Sequence, residues 1–464
     1  MNPRNACGLA MTAALVTSAL PAPSAAESGS TCDRPPITLL RYGEDYAFLR
    51  DPRCRTDFWD PLKYIELSSS LPAYLTLGLD ARERYEYFSP FDWAPGPIGT
   101  GGYLIQRLMP FTDLRLGRSF QAFVQLTSNL VLGTDPRPLD RDQLDLLQAF
   151  GLVALGRLAV RIGRQEIQYA DSRLVSIREG PNVRLAFDGL RFMQGLGSWQ
   201  IDGFALVPVE VRPGVFDDRP QPGERFWGLY STGPVLGAAL GLDAYYLGRF
   251  RRDAAFEQGV QDELRHTLGT RIWGASGGAD YNFELAWQTG TFGPGSIEAW
   301  MVASDVGYTV DALPLQPRFG TQINASSGDS NPRTADLQTF NPLFPRGAYF
   351  SQANLVGPLN LFDFHPGVTL RPAQELELTL DWDFFWRQSL GDGLYLPSVV
   401  VQVPGAGNPE RYVGSQGALL VQWRATRHAS FGGTISHLFA GPFLHAAGFS
   451  DDVTFIGFWV SYSI

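Results

Sequence analysis

Apolar and polar side chains alternate along much of the chain, beginning at Tyr74. In this first segment Leu75 and Leu77 share one face, whereas Arg82 and Arg84 share the other. A period of two predicts a β-strand with one apolar and one charged face. Such a strand suits the wall of a membrane barrel, and it equally suits a soluble β-sandwich.

The clearest alternation lies between residues 375 and 387. Leu380 and Trp382 belong to an unbroken apolar face, whereas Asp381 and Asp383 belong to the opposite face. Burying that charged face in a protein core would be very costly. We therefore expect the charged face to contact water.

Repetition of this pattern along the chain predicts about eighteen strands. Their approximate bounds are 74–88, 104–117, 119–131, 144–154, 157–168, 184–194, 199–208, 225–233, 236–248, 264–274, 279–289, 296–307, 316–324, 363–371, 374–387, 412–424, 428–438 and 452–464. Short turns alternate with long links at 89–103, 132–143, 169–183, 209–224, 249–263, 325–362, 388–411 and 439–451. The link near Gly290 is the one exception, because it is short although its position in the alternation predicts a long link. Loops sorted by side in this way favour an all-β fold, a transmembrane antiparallel β-barrel formed by residues 74–464 with short periplasmic turns and long extracellular loops.

The residues before the first strand follow a different pattern. Residues 1–26 have the charged start, the apolar stretch and the small residues of a secretory signal peptide. Residues 27–73 lack sustained periodicity, and they form either a periplasmic lead-in or plug at the barrel mouth or a disordered linker. Export would place Cys32 and Cys54 in an oxidising compartment, where they either form a disulfide or stay unpaired.

Charge and composition narrow the possible functions. The chain of 464 residues has a formal net charge of −10, which argues against binding the nucleic-acid backbone. No apolar run of about eighteen residues follows the signal, which excludes a helical membrane protein. Lys63 is the only lysine, so the positive charges are almost all arginines, whose planar fork matches carboxylates. A GC-rich genome would produce the same bias.

Catalytic groupings are not apparent in the sequence. The five histidines lack metal-ligand spacing. Ser436 and His437 are adjacent on a predicted strand, but successive side chains point to opposite faces and could not form a nucleophile–base pair. We therefore predict that the chain is not an enzyme and that it has no catalytic residue, metal or cofactor.

A combination of short motifs resembles the alginate export family of outer-membrane β-barrels. The predicted hairpin from Val160 to Phe192 has Gly163–Arg164–Gln165, Tyr169, Arg173–Leu174 and Phe187–Asp188–Gly189, and similar stretches occur at 339–346, 354–367, 383–387 and 412–416. The resemblance implies a passive channel for an anionic polysaccharide, a polyuronate in this family, supplied by a periplasmic export scaffold. The alternating C-terminal strand resembles those recognised by the barrel assembly machinery, although its last residue, Ile464, is not aromatic.

Arginines on the predicted lumen faces are the candidate substrate-binding residues, because arginine rings select anions in pores. The set is Arg82, Arg84, Arg161, Arg164, Arg271, Arg387 and Arg424. Alternation predicts that Arg164 points outward. We include it because the family resemblance implies that this arginine lies in or near the pore. A bulge at Gly163, or a loop that folds into the lumen, would allow that position. The link at 325–362 is long enough to fold inward, with Arg333 and Arg346 as contributors. Wall ion pairs without selectivity are the alternative.

These observations predict an outer-membrane channel of a Gram-negative bacterium, embedded in lipid and lipopolysaccharide, that passes an anionic polysaccharide or organic anion. The alternatives are a general porin, an uptake channel for small organic anions, an outer-membrane hydrolase and a soluble secreted β-protein.

Overall fold

The computed structural model describes residues 32–68, 70–89, 101–134 and 139–464. The predicted signal peptide and parts of the first two long links lie outside these residues. Eighteen consecutive antiparallel strands form the wall, and β1 pairs with both β2 and β18, which closes the barrel. The strands are β1 Ala73–Phe88, β2 Gly101–Leu116, β3 Phe120–Leu132, β4 Asp142–Leu155, β5 Leu158–Gln165, β6 Phe187–Leu196, β7 Trp199–Glu210, β8 Glu224–Leu236, β9 Leu240–Phe256, β10 Gly259–Ser276, β11 Ala279–Phe292, β12 Gly295–Thr309, β13 Arg318–Ser326, β14 Leu361–Ala373, β15 Leu376–Arg387, β16 Tyr412–Trp423, β17 Ala429–Ala440 and β18 Val453–Ser463. The predicted strands correspond to these one by one.

Helical and minor strand segments lie in the lead-in, the turns and the loops. The α-helices are α1 Asp60–Lys63 and α2 Pro442–Ala446, and short 3-10 helices occur at Arg41–Gly43, Ala47–Arg50, Pro52–Cys54 and Gly237–Ala239. Short extra strands are Ile65–Ser68, Arg219–Pro220, Leu394–Tyr395 and Val401–Val403. None of the helices among the described residues has the length and apolar character needed to cross a membrane.

The two faces of the wall differ in polarity, as β11 illustrates. Phe283, Leu285 and Trp287 are between 44 and 51% exposed on the outer surface, whereas Glu284 is buried on the inner side. Large exposed apolar side chains recur on the other strands. An apolar outer band around a charged interior is the arrangement that a bilayer requires.

One predicted long link is wrong. Residues 249–263 are not a loop, because β9 continues to Phe256 and β10 begins at Gly259. Three of the charged residues that interrupt the apolar pattern there, Arg249, Arg251 and Glu263, point inward and form ion pairs. The Arg249 Nη2–Glu224 distance is 2.5 Å, and the Arg251 Nη2–Glu263 distance is 3.2 Å. Pairing within the lumen therefore allowed strand to form where the sequence suggested an exposed loop.

The described part of the lead-in is ordered and lies inside the barrel at its short-turn end. Arg41 is fully buried there, with its guanidinium 2.5 Å from Asp80 of β1 and 2.8 Å from Glu44. It also donates to the main-chain oxygen of Ile464 at 2.7 Å. A disulfide joins Cys32 and Cys54. The lead-in therefore fills one side of the lumen at this end.

Candidate functional site

A cavity of about 1720 Å³ occupies the part of the lumen nearest the short turns. Both the wall and the inward-folded segments contribute charged side chains to it. Its arginines are Arg82, Arg107, Arg173, Arg184, Arg271, Arg318, Arg346, Arg371 and Arg424, and its carboxylates are Asp80, Asp171, Glu179, Asp280, Asp305, Asp311, Glu375 and Glu377. The two sets nearly balance, so any anion preference must come from how the charges are arranged.

The loop between β5 and β6, residues 166–186, crosses the lumen at the inner end of this cavity. Near one end of the loop, Arg173 lies 3.1 Å from Glu284 of β11. Six residues later, Glu179 contacts Arg82 of β1 and Arg107 of β2. Strand β11 lies halfway around an eighteen-stranded barrel from β2. Residues 166–186, which we call the crossing loop, therefore form a constriction across the channel.

Three arginines converge on the carboxylate of Glu179. Arg107 forms a close ion pair with it, Arg82 lies 3.4 Å from Oε1 and Arg184 lies 3.4 Å from Oε2. The three arginine side chains are at most 8% exposed, whereas Glu179 is 34% exposed to the cavity. We call these four residues the arginine cluster.

The electrostatics of the arginine cluster favour an ionised carboxylate. Burial alone would raise the pKa of Glu179, but Arg107, Arg184 and Arg82 outweigh it and lower the pKa to about 2. Glu166 lies 2.8 Å from Arg184, and burial raises its pKa to about 7. Glu179 is therefore ionised at neutral pH, where it lies against three guanidinium groups.

The long loop between β13 and β14, residues 327–360, also folds inward and braces the crossing loop. The backbone N–H of Phe344 donates to Leu174 at 2.9 Å, and that of Arg346 donates to Ser172 at 3.0 Å. Arg346 lines the cavity, as the sequence suggested, whereas Arg333 is exposed away from it. The expectation of an inward-folded loop was correct, but the crossing loop carries more of the constriction.

Beyond the constriction, apolar side chains of the loops pack against the inner wall. One cluster contains Phe350 and Leu355 of the long loop together with Phe385 of β15, Phe443 of α2 and Phe455 of β18. These residues are at most 8% exposed. In the long-loop half of the barrel, the loops therefore pack into the lumen against the wall.

The structure places the predicted arginines in different surroundings. Arg82, Arg271 and Arg424 line the cavity. Arg84 points inward near them, where it pairs with Glu86 at 2.6 Å and donates to Gln352. The lead-in covers Arg161, whose guanidinium packs against the rings of Tyr42 and Phe150 at about 4 Å from each. Arg161 is therefore inward but not part of the solute path in this structure.

Arg164 does not face the lumen. The pairing of β5 with β4 and β6 is continuous, so Arg164 keeps the face of Ile162, which is 64% exposed on the outside. Its guanidinium forms two hydrogen bonds with Asp188, at 2.9 and 3.1 Å. The expected bulge at Gly163 is absent, and strict alternation predicted this position correctly.

The glycines of the same motifs have a structural role. Gly163 and Gly189 are directly paired across β5 and β6, with φ values of 128° and 151°. A Cβ on Gly163 would collide with the backbone of Ala149, and one on Gly189 would collide with Ala205. These motifs therefore shape the hairpin from which the crossing loop emerges, and they do not line the channel.

Arg387 was also misjudged. It points inward, but the loop between β15 and β16 encloses it completely. Its guanidinium donates to the main-chain oxygens of Leu390, Asp392, Gly405, Asn408 and Glu410. Strand alternation gave the correct direction, but it could not show that a loop folds back over the side chain.

The sequence analysis missed Arg107, Glu179 and Arg184. Arg107 lies on a predicted strand with lumen parity, so alternation could have identified it. Glu179 and Arg184 belong to the crossing loop, and Arg82 and Arg107, which contact Glu179, are more than 70 residues away from it. The concentration of arginines in that loop was the only feature of the sequence that could have indicated a charged site there.

Two further groups of polar side chains lie on the strands, of which the first was considered from the sequence. Ser436 is buried inside the barrel, whereas His437 lies on the opposite face and contacts Thr454, so they form no nucleophile–base pair. Register across β14 and β15 brings His365 to 2.7 Å from Asp383 and 3.5 Å from Asp381. Spacing along the chain did not reveal this group, because its members come from neighbouring strands.

A closed eighteen-stranded barrel with an apolar outer band and a constricted, charged lumen defines an outer-membrane channel of the porin type. Comparison with known proteins agrees: the profile of the alginate export family matches residues 73–455. This chain belongs to that family. No curated protein sequence matches it.

Solved structures from Pseudomonas aeruginosa share the fold at low sequence identity. Pseudomonas aeruginosa OccK11 (OpdR) is 13% identical, with 84% of this chain and 96% of that chain covered and a TM-score of 0.56. OccK2 (OpdF) of the same organism, solved in complex with glucuronate, is 11% identical, with 84% and 98% covered and a TM-score of 0.55. P. aeruginosa OpdK, solved with vanillate, is 11% identical, with the same coverage and a TM-score of 0.54.

Proposed function

We propose that this channel passively conducts carboxylate-bearing solutes, with an alginate-type polyuronate as the substrate class. The observation that carries the proposal is the convergence of Arg82, Arg107 and Arg184 on one carboxylate at the constriction. Arginine forks bind carboxylates through charge-assisted hydrogen bonds. The family match supports a polyuronate, and the glucuronate found in OccK2 supports a carboxylated sugar.

In this proposal Glu179 holds the place of a solute carboxylate. A solute carboxylate that displaces it meets the same three guanidiniums. The displaced Glu179 turns into the wide cavity, to which it is already partly exposed. A polyuronate carries one carboxylate per sugar, so successive carboxylates can replace one another. Conduction needs binding that is strong enough to admit the solute and weak enough to release it.

Other lumen arginines guide the solute toward the arginine cluster. Arg271 and Arg424 line the cavity on the approach from the short turns, which we assign to the periplasmic side. Arg271 lies 2.8 Å from Asp243, so it presents its charge to the solute as part of an ion pair on the wall. A periplasmic scaffold would deliver the polymer at this end, and lipopolysaccharide and lipid would surround the barrel.

A second candidate function is the passage of small organic anions. The observation in its favour is the apolar packing of the loops in the long-loop half of the barrel, because a long polymer requires these loops to move apart. The vanillate and glucuronate in the two related structures are small carboxylates. Both candidate functions use the same arginine cluster.

Replacing Glu179 with Gln tests the proposal, because it removes the resident carboxylate. We expect glucuronate to block ion current through the variant at about one tenth of the concentration needed for the wild type, since a tethered competitor acts at an effective concentration of about millimolar. Single-channel recording in planar bilayers measures this block.

The matched control is Glu377→Gln. Glu377 lines the same cavity and pairs with Arg371 at 3.2 Å, outside the constriction. This variant loses the same charge and should leave glucuronate block unchanged. Equal block by glucuronate and glucose, or the same response in both variants, would argue against a carboxylate site at Glu179.

A further inference from the structure

Four aspartates gather at the long-loop end of the wall. Asp142 and Asp145 lie at the start of β4, and Asp217 and Asp218 lie in the loop between β7 and β8, residues 211–223. Carboxylate oxygens of Asp145, Asp217 and Asp218 lie within 4.8 Å of one another. The backbone N–H of Asp218 donates to Asp145 at 2.9 Å, which holds the loop against β4.

Asp142 supplies a second and independent observation. Its side chain is fully buried, and neither carboxylate oxygen has a hydrogen-bond partner within the described residues. The charges that act on it most strongly are those of Asp218, Asp145 and Asp217. Asn129, paired with Asp142 in the sheet, is also buried, and its Oδ1 likewise lacks a partner in the described chain. Leaving such oxygens unpaired is costly, and a bound cation would satisfy them.

The nearby positive charge does not balance the cluster. Arg164 is 3.7 Å from Asp145, but its guanidinium donates to Asp188 and to the main-chain oxygen of Leu146. Among the described residues, Arg164 is the arginine at ion-pair distance from any of these four aspartates, and Asp188 shares it.

We propose that Asp142, Asp145, Asp217 and Asp218 form a calcium site. The available donors are all oxygens, which hard cations prefer and softer transition metals do not. Ca²⁺ accepts six to eight oxygens in flexible geometry, whereas Mg²⁺ demands a near-ideal octahedron and gives up water reluctantly. A site assembled from a strand end and a loop suits Ca²⁺.

Calcium at this position would tie three parts of the long-loop end together. The parallel bridge between Leu144 and Val215 already places the 211–223 loop beside β4. Asp145 connects this loop through Arg164 to Asp188, at the base of the crossing loop. The cation would therefore stabilise the surroundings of the constriction without contacting the solute path.

Calcium titration of the full-length folded barrel tests the proposal. The protein is prepared free of lipopolysaccharide in detergent, treated with EDTA, and titrated with Ca²⁺ or Mg²⁺ by calorimetry. We expect one Ca²⁺ per chain, bound at least tenfold more tightly than Mg²⁺. Asp142→Asn, which keeps the side-chain shape, should weaken Ca²⁺ binding at least tenfold.

The matched control is Asp451→Asn, because Asp451 is exposed in the loop between β17 and β18 at the same end of the barrel. It should bind Ca²⁺ like the wild type. Heat-dependent migration in gels verifies that each variant is folded. If Asp142→Asn does not fold, Asp217→Asn replaces it as the cluster variant, because Asp217 is exposed. No saturable Ca²⁺ binding by the wild type, or unchanged binding by the cluster variant, would overturn the proposal.

Discussion

Replacing Arg387 with Ala is expected to disorder residues 388–411 while leaving ion selectivity unchanged. Arg387 is fully buried, and its guanidinium donates to five main-chain oxygens of this loop. Each buried polar group left without a partner costs about 1–3 kcal/mol. We therefore expect the ordered loop to lose about 3 kcal/mol or more, which is enough to unfold it locally.

Limited proteolysis of the folded barrel measures this effect. The variant should be cleaved within residues 388–411 at least tenfold faster than the wild type, and reversal potentials should stay the same. Arg333→Ala is the control, because Arg333 is exposed in another long loop at the same end. A protected loop together with a changed selectivity would mean that Arg387 lines the solute path after all.

Replacing Arg107 with Glu is expected to lower the anion preference of the channel at least tenfold. Arg107 is 3% exposed at the constriction and forms the closest ion pair with Glu179. Two unit charges about 5 Å apart interact by about 3 kcal/mol at an effective permittivity of about 20. A change of about 1.4 kcal/mol suffices for a tenfold effect.

Reversal potentials under a salt gradient report the permeability ratio. Arg107→Gln should lower the anion preference by an intermediate amount. This variant serves if Arg107→Glu does not fold, because glutamine creates no like-charge contact with Glu179. Arg371→Glu changes the charge of the same cavity outside the constriction, so its effect should be several-fold smaller. Equal effects of the Arg107 and Arg371 variants would show that the cavity selects by its total charge.

The barrel could be predicted from the sequence because lipid and water impose opposite demands on alternate residues. On β15, Leu380 and Trp382 are exposed on the outer surface, whereas Asp383 is fully buried inside. Every strand repeats this local constraint, so strand number and direction follow without knowledge of distant contacts. The wrong prediction of a loop at residues 249–263 follows from the same local pattern, because charged residues that face the lumen resemble the charged residues of an exposed loop.

The constriction could not be predicted in this way. Glu179 meets Arg82 across 97 residues of sequence, and no periodic pattern specifies where an inward loop stops. Arg387 and Arg161 point inward as expected, but a loop and the lead-in cover them. Arg164 shows the opposite case, since alternation was correct there and the resemblance to a family motif was misleading about its position.

Comparing the fluxes of glucuronate and glucose through wild-type channels in proteoliposomes tests the central claim most directly. The two sugars are similar in size and differ mainly in one carboxylate. The arginine cluster predicts a several-fold faster flux of glucuronate, reduced toward the rate of glucose in Arg107→Gln. A flux of glucose that equals or exceeds that of glucuronate would contradict a carboxylate-selective channel and would favour a general porin.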